Sequence, residues 1–80
     1  MLDVNGKPLV DGASVRLLHA PPELLHGLPS EDQEAIQWAA RGASMRLVGK
    51  DDYGNVELEF KDFSGTRHWI FVRPTIVMAI

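Results

Sequence analysis

The fold is decided by residues 55–72, which read NVELEFKDFSGTRHWIFV. The first third of this stretch alternates apolar and polar side chains with a period of two, which is typical of a half-buried β-strand. Asp62-Phe63-Ser64-Gly65 then predicts a three-residue hairpin loop that ends in a glycine bulge. The residues after the loop are rich in aromatic and β-branched side chains, and they predict the returning strand.

The hairpin loop also predicts which residues lie opposite each other on the two strands. If Asp62 pairs with Thr66, the register of the whole ladder follows, because side chains alternate between the two faces of a sheet. The pairs that follow are Phe60–His68, Leu58–Ile70 and Val56–Val72. This register places Ile70 in the core and puts Trp69 and Phe71 on the opposite face, beside the two glutamates of the first strand.

Ahead of the hairpin, the apolar residues change to a helical period and predict one helix at about residues 31–41. Ser30 and Gln33 have the spacing of a capping box, in which each side chain bonds a free backbone amide of the first turn. Gly42 follows as the residue expected just past the helix end. The predicted buried stripe of this helix comprises Ala35, Ile36, Ala39 and Ala40.

Three more strands are predicted by short alternating segments, at residues 13–19, 44–50 and 76–80. In the second of these, Met45, Leu47 and Val48 can share one face only if the strand contains a β-bulge. Residues 1–11 are predicted to form an N-terminal hairpin or edge extension, because Asn5-Gly6 suits a two-residue hairpin turn.

Composition narrows the possible functions. The chain has 80 residues, no cysteine and a net charge of −3, which predicts a single domain over residues 1–80 without disulfides or thiolate chemistry. The acidic balance argues against nucleic-acid binding through bulk charge. The lack of a long apolar run and of a signal-peptide pattern predicts a cytoplasmic protein with no membrane partner.

The order of predicted elements resembles that of small bacterial SH3-like barrels, with a pattern-level likeness to KOW-like domains over residues about 12–80. The likeness rests on Gly12–Leu17, on Gly54–Phe60, and on Gly65 with His68–Val72. It implies a mainly β, five-stranded SH3-like barrel, with the helix inserted in the long first (RT-like) loop. Polyproline binding is not implied, since the acidic cluster and paired tryptophans of signalling SH3 domains are missing. The chain also lacks the basic surface of ribosomal KOW proteins.

No group of residues predicts catalysis, a metal site or a cofactor, so the chain is predicted not to be an enzyme. The histidines His19, His26 and His68 do not share a ligand spacing, and a partly buried, hydrogen-bonded His68 is expected. Glu57 and Glu59 are interpreted as a solvated strand face that deters edge pairing.

The remaining feature is a set of aromatic and arginine side chains, the composition of interaction hot spots. The candidate partner-binding residues are Trp69, Phe71, Arg67, Arg73 and Tyr53. They predict a non-enzymatic module that binds an unknown protein, as a monomer or weak homodimer, through this aromatic and arginine face or through the excursion at residues 20–30. The alternative is a nucleic-acid- or ribosome-associated KOW-like domain. A competing possibility is that the helix covers Trp69 and Phe71 with Trp38 or Ala39 and forms a second small core.

Overall fold

The computed structural model describes all 80 residues, Met1–Ile80, as a mainly β fold with two α-helices and one sheet of five antiparallel strands. In chain order the elements are β1 (Ser14–Leu17), α1 (Pro22–Leu25), α2 (Ser30–Ala39), β2 (Met45–Lys50), β3 (Val56–Lys61), β4 (Arg67–Val72), a 3₁₀ helix (Pro74–Ile76) and β5 (Val77–Ala79). The spatial order is β4-β3-β2-β1-β5, so β4 and β5 lie at opposite ends of the sheet.

The predicted register of the β3–β4 hairpin is confirmed. Val56 lies opposite Val72, Leu58 opposite Ile70 and Phe60 opposite His68, and the pairing continues without a bulge over six residue pairs. The loop closes as expected, with the Asp62 amide donating to the Thr66 carbonyl at 2.9 Å and Gly65 in the left-handed region at φ +87°. The turn chemistry of the sequence is therefore sufficient to align the strands.

Three hairpin loops of the molecule share one construction, which begins at Asp3, Asp51 and Asp62. In each loop the aspartate Oδ1 accepts hydrogen bonds from the backbone amides two and four residues later, at 2.7–3.0 Å. A glycine with positive φ stands three residues after each aspartate. The first loop thus spans three residues, and the predicted two-residue Asn5-Gly6 turn is wrong because the Asp3 carboxylate organises a longer one.

The helical region differs from the prediction at its start. The helix α2 begins with Ser30 as its first residue, and Pro29 occupies the N-cap position without any side-chain cap. The predicted capping box of Ser30 and Gln33 is wrong, since the Gln33 side-chain amide donates instead to the Leu28 carbonyl at 2.9 Å. The helix ends at Ala39 rather than Arg41, and it is preceded by α1, a helix of a single turn.

The core lies between the sheet and one side of α2. Ala35, Ile36 and Ala39 of the predicted stripe are buried there, while Ala40 is partly buried. The sheet contributes the other buried apolar residues, which are Val15, Leu17, Met45, Leu47, Val56, Leu58, Phe60, Ile70, Val72 and Val77. A β-bulge falls between Leu47 and Gly49, but Val48 is exposed and does not share a face with the buried Met45 and Leu47.

Residues 1–11 form the predicted N-terminal hairpin, which lies against β5. Leu2 and Pro8 form an isolated antiparallel bridge, and the Val4 amide donates to the Val77 carbonyl at 2.9 Å. Asp3 is buried and its Oδ2 accepts the Ala79 amide at 2.8 Å. This hairpin therefore occupies the free side of the β5 edge.

Candidate functional site

The sheet has a second face, turned away from the core, that carries the candidate binding residues. We call it the outer face and define it by Arg16, Arg46, Glu57, Glu59, Lys61, Arg67, Trp69 and Phe71. Alternation places them together, because each directly adjoins a buried or partly buried residue of its own strand that points to the core side. The register brings Trp69 next to Glu59 and Phe71 next to Glu57.

Trp69 and Phe71 form an exposed aromatic pair on the edge strand of this face. Their exposed fractions are 55% and 50%, respectively. The alternative in which the helix covers them is wrong, because α2 buries its apolar stripe on the core side of the sheet. Trp38 remains 37% exposed and makes an edge-to-face contact with Phe63 at 6.0 Å between ring centroids.

The Glu59 carboxylate accepts hydrogen bonds from two of the candidate binding residues, Arg67 and Trp69. Its Oε1 accepts a hydrogen bond from the Arg67 guanidinium at 2.6 Å, and its Oε2 accepts one from the Trp69 indole at 3.1 Å. A pair this exposed adds little to stability, since water and salt screen the charges. Its effect is to hold the indole and the guanidinium side by side in one arrangement that a partner would meet.

Arg73 and Tyr53 lie at the far end of the same strand. Arg73 donates a hydrogen bond to the Tyr53 carbonyl at 2.7 Å, which ties the end of β4 to the β2–β3 loop. The Tyr53 side chain is 81% exposed. The structure thus brings all five predicted binding residues to β4 and its immediate neighbours.

A cleft of about 530 Å³ adjoins Phe71 and Arg73. Its opposite wall comes from the segment after β1 and includes His19, Glu23 and Leu24. Sequence reasoning did not connect this wall to the aromatic pair, because the two segments are about fifty residues apart in the chain. The cleft offers apolar surface from Phe71 and Leu24 next to the guanidinium of Arg73.

The charge of the outer face differs from that of the whole chain. Arg16, Arg46, Lys61 and Arg67 lie on it with only two carboxylates, whereas the chain carries a net charge of −3. The opposite side of the molecule includes the acidic first turn of α2. Sequence reasoning missed Arg16 and Arg46; the alternation of Arg16 between buried Val15 and Leu17 was the signal that could have placed it.

His68 has the partly buried, hydrogen-bonded environment expected from the sequence. Its ring stacks on Phe60 with centroids 5.0 Å apart, and its Nε2 lies 2.8 Å from Asp62 Oδ2. Hydrogen bonds from the Ser64 hydroxyl and from His68 lower the pKa of the Asp62 carboxyl far below its usual range. These contacts connect His68 to the hairpin loop and give it a structural role.

Comparisons with known proteins found no matching family model, no similar curated protein and no similar solved structure. None of the helices combines the length and the apolar character that crossing a lipid bilayer requires.

Proposed function

We propose that the chain is a non-enzymatic protein-interaction module that binds its partner through β4 and the adjoining cleft. The observation that carries the proposal is the exposure of Trp69 and Phe71 beside Arg67 on a regular strand. Tryptophan, tyrosine and arginine dominate the binding energy of protein interfaces, since they bury a large area and keep a polar group for a hydrogen bond. A rigid strand also presents them with little loss of entropy on binding.

We further propose that the fold is an SH3-like barrel in its open form. Three features support this relation: the strand order β4-β3-β2-β1-β5, the helical excursion between β1 and β2, and the 3₁₀ helix directly before β5. The cleft between that excursion and the end of β4 occupies a position suited to a peptide. The proposed relation to SH3-like barrels concerns the order of the strands and helices. It does not specify the ligand, which depends on the exposed side chains.

A second candidate function is nucleic-acid binding of the KOW-like kind. The observation that favours it is the group of four cations that share the outer face with Trp69 and Phe71. Aromatic side chains stack on bases, and cations neutralise the phosphates. Glu57 and Glu59 lie between these cations and oppose a polyanion, so we rank this function second.

Site-specific photo-crosslinking in cells tests the protein-interaction proposal. A photoreactive phenylalanine analogue replaces Phe71 in one variant and the exposed Gln37 of α2 in the matched control. We expect a discrete crosslinked protein from the first position alone, and we expect Trp69→Ala to abolish it while circular dichroism stays unchanged. Equal crosslinking from both positions, or none from Phe71, would contradict the proposal.

Titration with a single-stranded oligonucleotide separates the two candidates. Tryptophan fluorescence reports binding because Trp69 lies on the outer face. Under the leading proposal, we expect no saturable quenching at about 0.15 M salt. Quenching that saturates, and that weakens steeply as salt rises, would establish the second candidate instead.

A further inference from the structure

The two edges of the sheet differ in whether another segment of the chain lies against them. The β5 edge is occupied by the N-terminal hairpin, through the Val4 amide and the Asp3 carboxylate. The β4 edge pairs with β3 on one side and with no strand on the other. It also has no proline, no lysine and no bulge, which are the features that commonly block a sheet edge.

The register identifies which backbone groups of this edge are free. Because Asp62 and Thr66 are a hydrogen-bonded pair, the backbone groups of His68, Ile70 and Val72 are directed at β3. The amides and carbonyls of Arg67, Trp69 and Phe71 consequently point away from the sheet, and none of them has a hydrogen-bond partner within the chain. They form a row of free donors and acceptors at strand spacing.

A cleft of about 240 Å³ runs along this edge. It touches residues from both faces of β4, and its other wall comprises Asp32 and Ile36 of α2, one helical turn apart, with Leu28 from the segment before the helix. An added strand would therefore have an apolar recess for the side chains that point toward the core. The carboxylate of Asp32, 3.9 Å from the His68 ring, makes this recess unfavourable for an anionic side chain.

The opposite side of an added strand would lie on the outer face of the sheet. Its outward side chains would lie next to Arg67, Trp69 and Phe71, the cross-strand neighbours on the outer face. The strand β4 carries no carboxylate, and Arg73 follows it directly. Arg67 already pairs with Glu59, but Arg73 pairs with no carboxylate. The outward position beside Arg73 therefore favours an acidic side chain over a basic one, whereas the inward positions favour aliphatic ones.

We infer that β4 binds an extended segment of a partner protein by strand addition, and that this segment alternates acidic and aliphatic residues. The inference rests on the proposed protein-interaction function and specifies its ligand. Main-chain hydrogen bonds to Arg67, Trp69 and Phe71 would supply affinity, while the alternating side chains would supply selectivity. The acidic residues would face Arg67 and Arg73, and the aliphatic residues would enter the recess beside α2.

Amide hydrogen exchange by NMR measures the expected hydrogen bonds one residue at a time. The probe is a capped peptide of alternating valine and glutamate, flanked by serine. We expect it to slow exchange at the Trp69 and Phe71 amides by about tenfold or more, because those amides become hydrogen-bonded. Exchange at His68 and Ile70, whose amides already bond β3, is expected to stay the same.

Two control peptides separate the parts of the inference. A peptide with alternate backbone amides methylated keeps its charge but loses donors, and we expect at least about tenfold weaker binding. A valine–lysine peptide keeps the backbone and reverses the charge, and we expect a similar loss. Equal binding of the methylated peptide would overturn strand addition, and equal binding of the lysine peptide would overturn the preference for acidic residues.

A pair of variants tests the same edge from the side of the protein. Phe71→Ala removes the aromatic ring, whereas Phe71→Pro also removes the outward amide without removing a ladder bond to β3. We expect the proline variant to bind the valine–glutamate peptide more weakly than the alanine variant. Equal binding by the two variants would overturn the inference.

Failure of this inference is distinguishable from failure of the proposed function. Crosslinking from Phe71 without peptide-induced protection of Trp69 would leave the interaction module standing and overturn strand addition. Protection of Trp69 that grows with protein concentration in the absence of peptide would show that a second copy of the chain pairs with β4. That result would overturn the assignment of a heterologous acidic segment.

Discussion

At the scale of single residues, the hairpin loops depend on one aspartate and one glycine each. Asp62 accepts the amides of Ser64 and Thr66, and Gly65 adopts φ +87°, a region that other residues enter at a cost of about 1–2 kcal/mol. The sequence predicted this loop fully, because both residue types act on their immediate neighbours. It did not predict that Asp3 and Asp51 repeat the arrangement, since Asn5-Gly6 also matches a shorter turn.

Alanine substitutions at two glycines test whether the positive φ of Gly65 requires glycine. Gly65→Ala is expected to lower the free energy of unfolding by about 1–2 kcal/mol, because the added Cβ meets no atom within 4 Å and only the backbone conformation opposes it. Gly49→Ala is the control, since its φ is not positive and its Cβ would make an ordinary 3.5 Å contact with Glu57. Urea denaturation measures both, and equal losses would refute the argument.

At the scale of elements, the β3–β4 hairpin follows from its sequence whereas α2 does not. The alternation of β3 and the loop after it determine which residues are buried, and the three predicted cross-strand pairs lie as expected. The start of α2 was predicted wrongly because the Gln33 side chain bonds the Leu28 carbonyl, just ahead of the helix, and makes no capping contact with Ser30. The side of the sheet on which α2 packs lay beyond local rules, since either face offered apolar residues to its stripe.

Truncation of neighbouring β4 residues tests the placement of the two faces. Trp69→Ala is expected to change the free energy of unfolding by about 1 kcal/mol or less, since the indole is half exposed. Ile70→Ala, one residue further, is expected to lower it by about 2–5 kcal/mol, because it leaves a cavity in the core. Chemical denaturation of both variants gives the comparison. A larger loss for Trp69→Ala would mean that the indole is covered.

At the scale of the whole molecule, three aspartates couple stability to pH. The Ala79 amide lowers the pKa of Asp3, the Asn55 side chain lowers that of Asp51, and the Ser64 hydroxyl lowers that of Asp62. Each carboxyl therefore binds a proton less readily in the folded state than in the unfolded chain, where its pKa is 3.8. Their stabilisation is complete above this value and is lost as the pH falls below it.

Urea denaturation at about pH 6 and about pH 3 measures this coupling. The free energy of unfolding is expected to fall at the lower pH, and Asp62→Asn is expected to reduce the difference between the two conditions. Asp11→Asn is the matched control, because Asp11 is exposed and accepts no hydrogen bond. If Asp62→Asn leaves the pH dependence unchanged, the Asp62 carboxylate is not one of its sources.

The sequence by itself determined the strands, the β3–β4 register and the loop chemistry, because these depend on alternation and on contacts between residues a few positions apart. It also identified Trp69, Phe71 and Arg67 as neighbours on one face. Only the tertiary structure decided that α2 leaves this face open, that Arg16 and Arg46 join it, and that the N-terminal hairpin occupies one edge while β4 stays free. Those outcomes depend on packing between segments far apart in the chain, and local periodicity carries no information about which distant surface an element will meet.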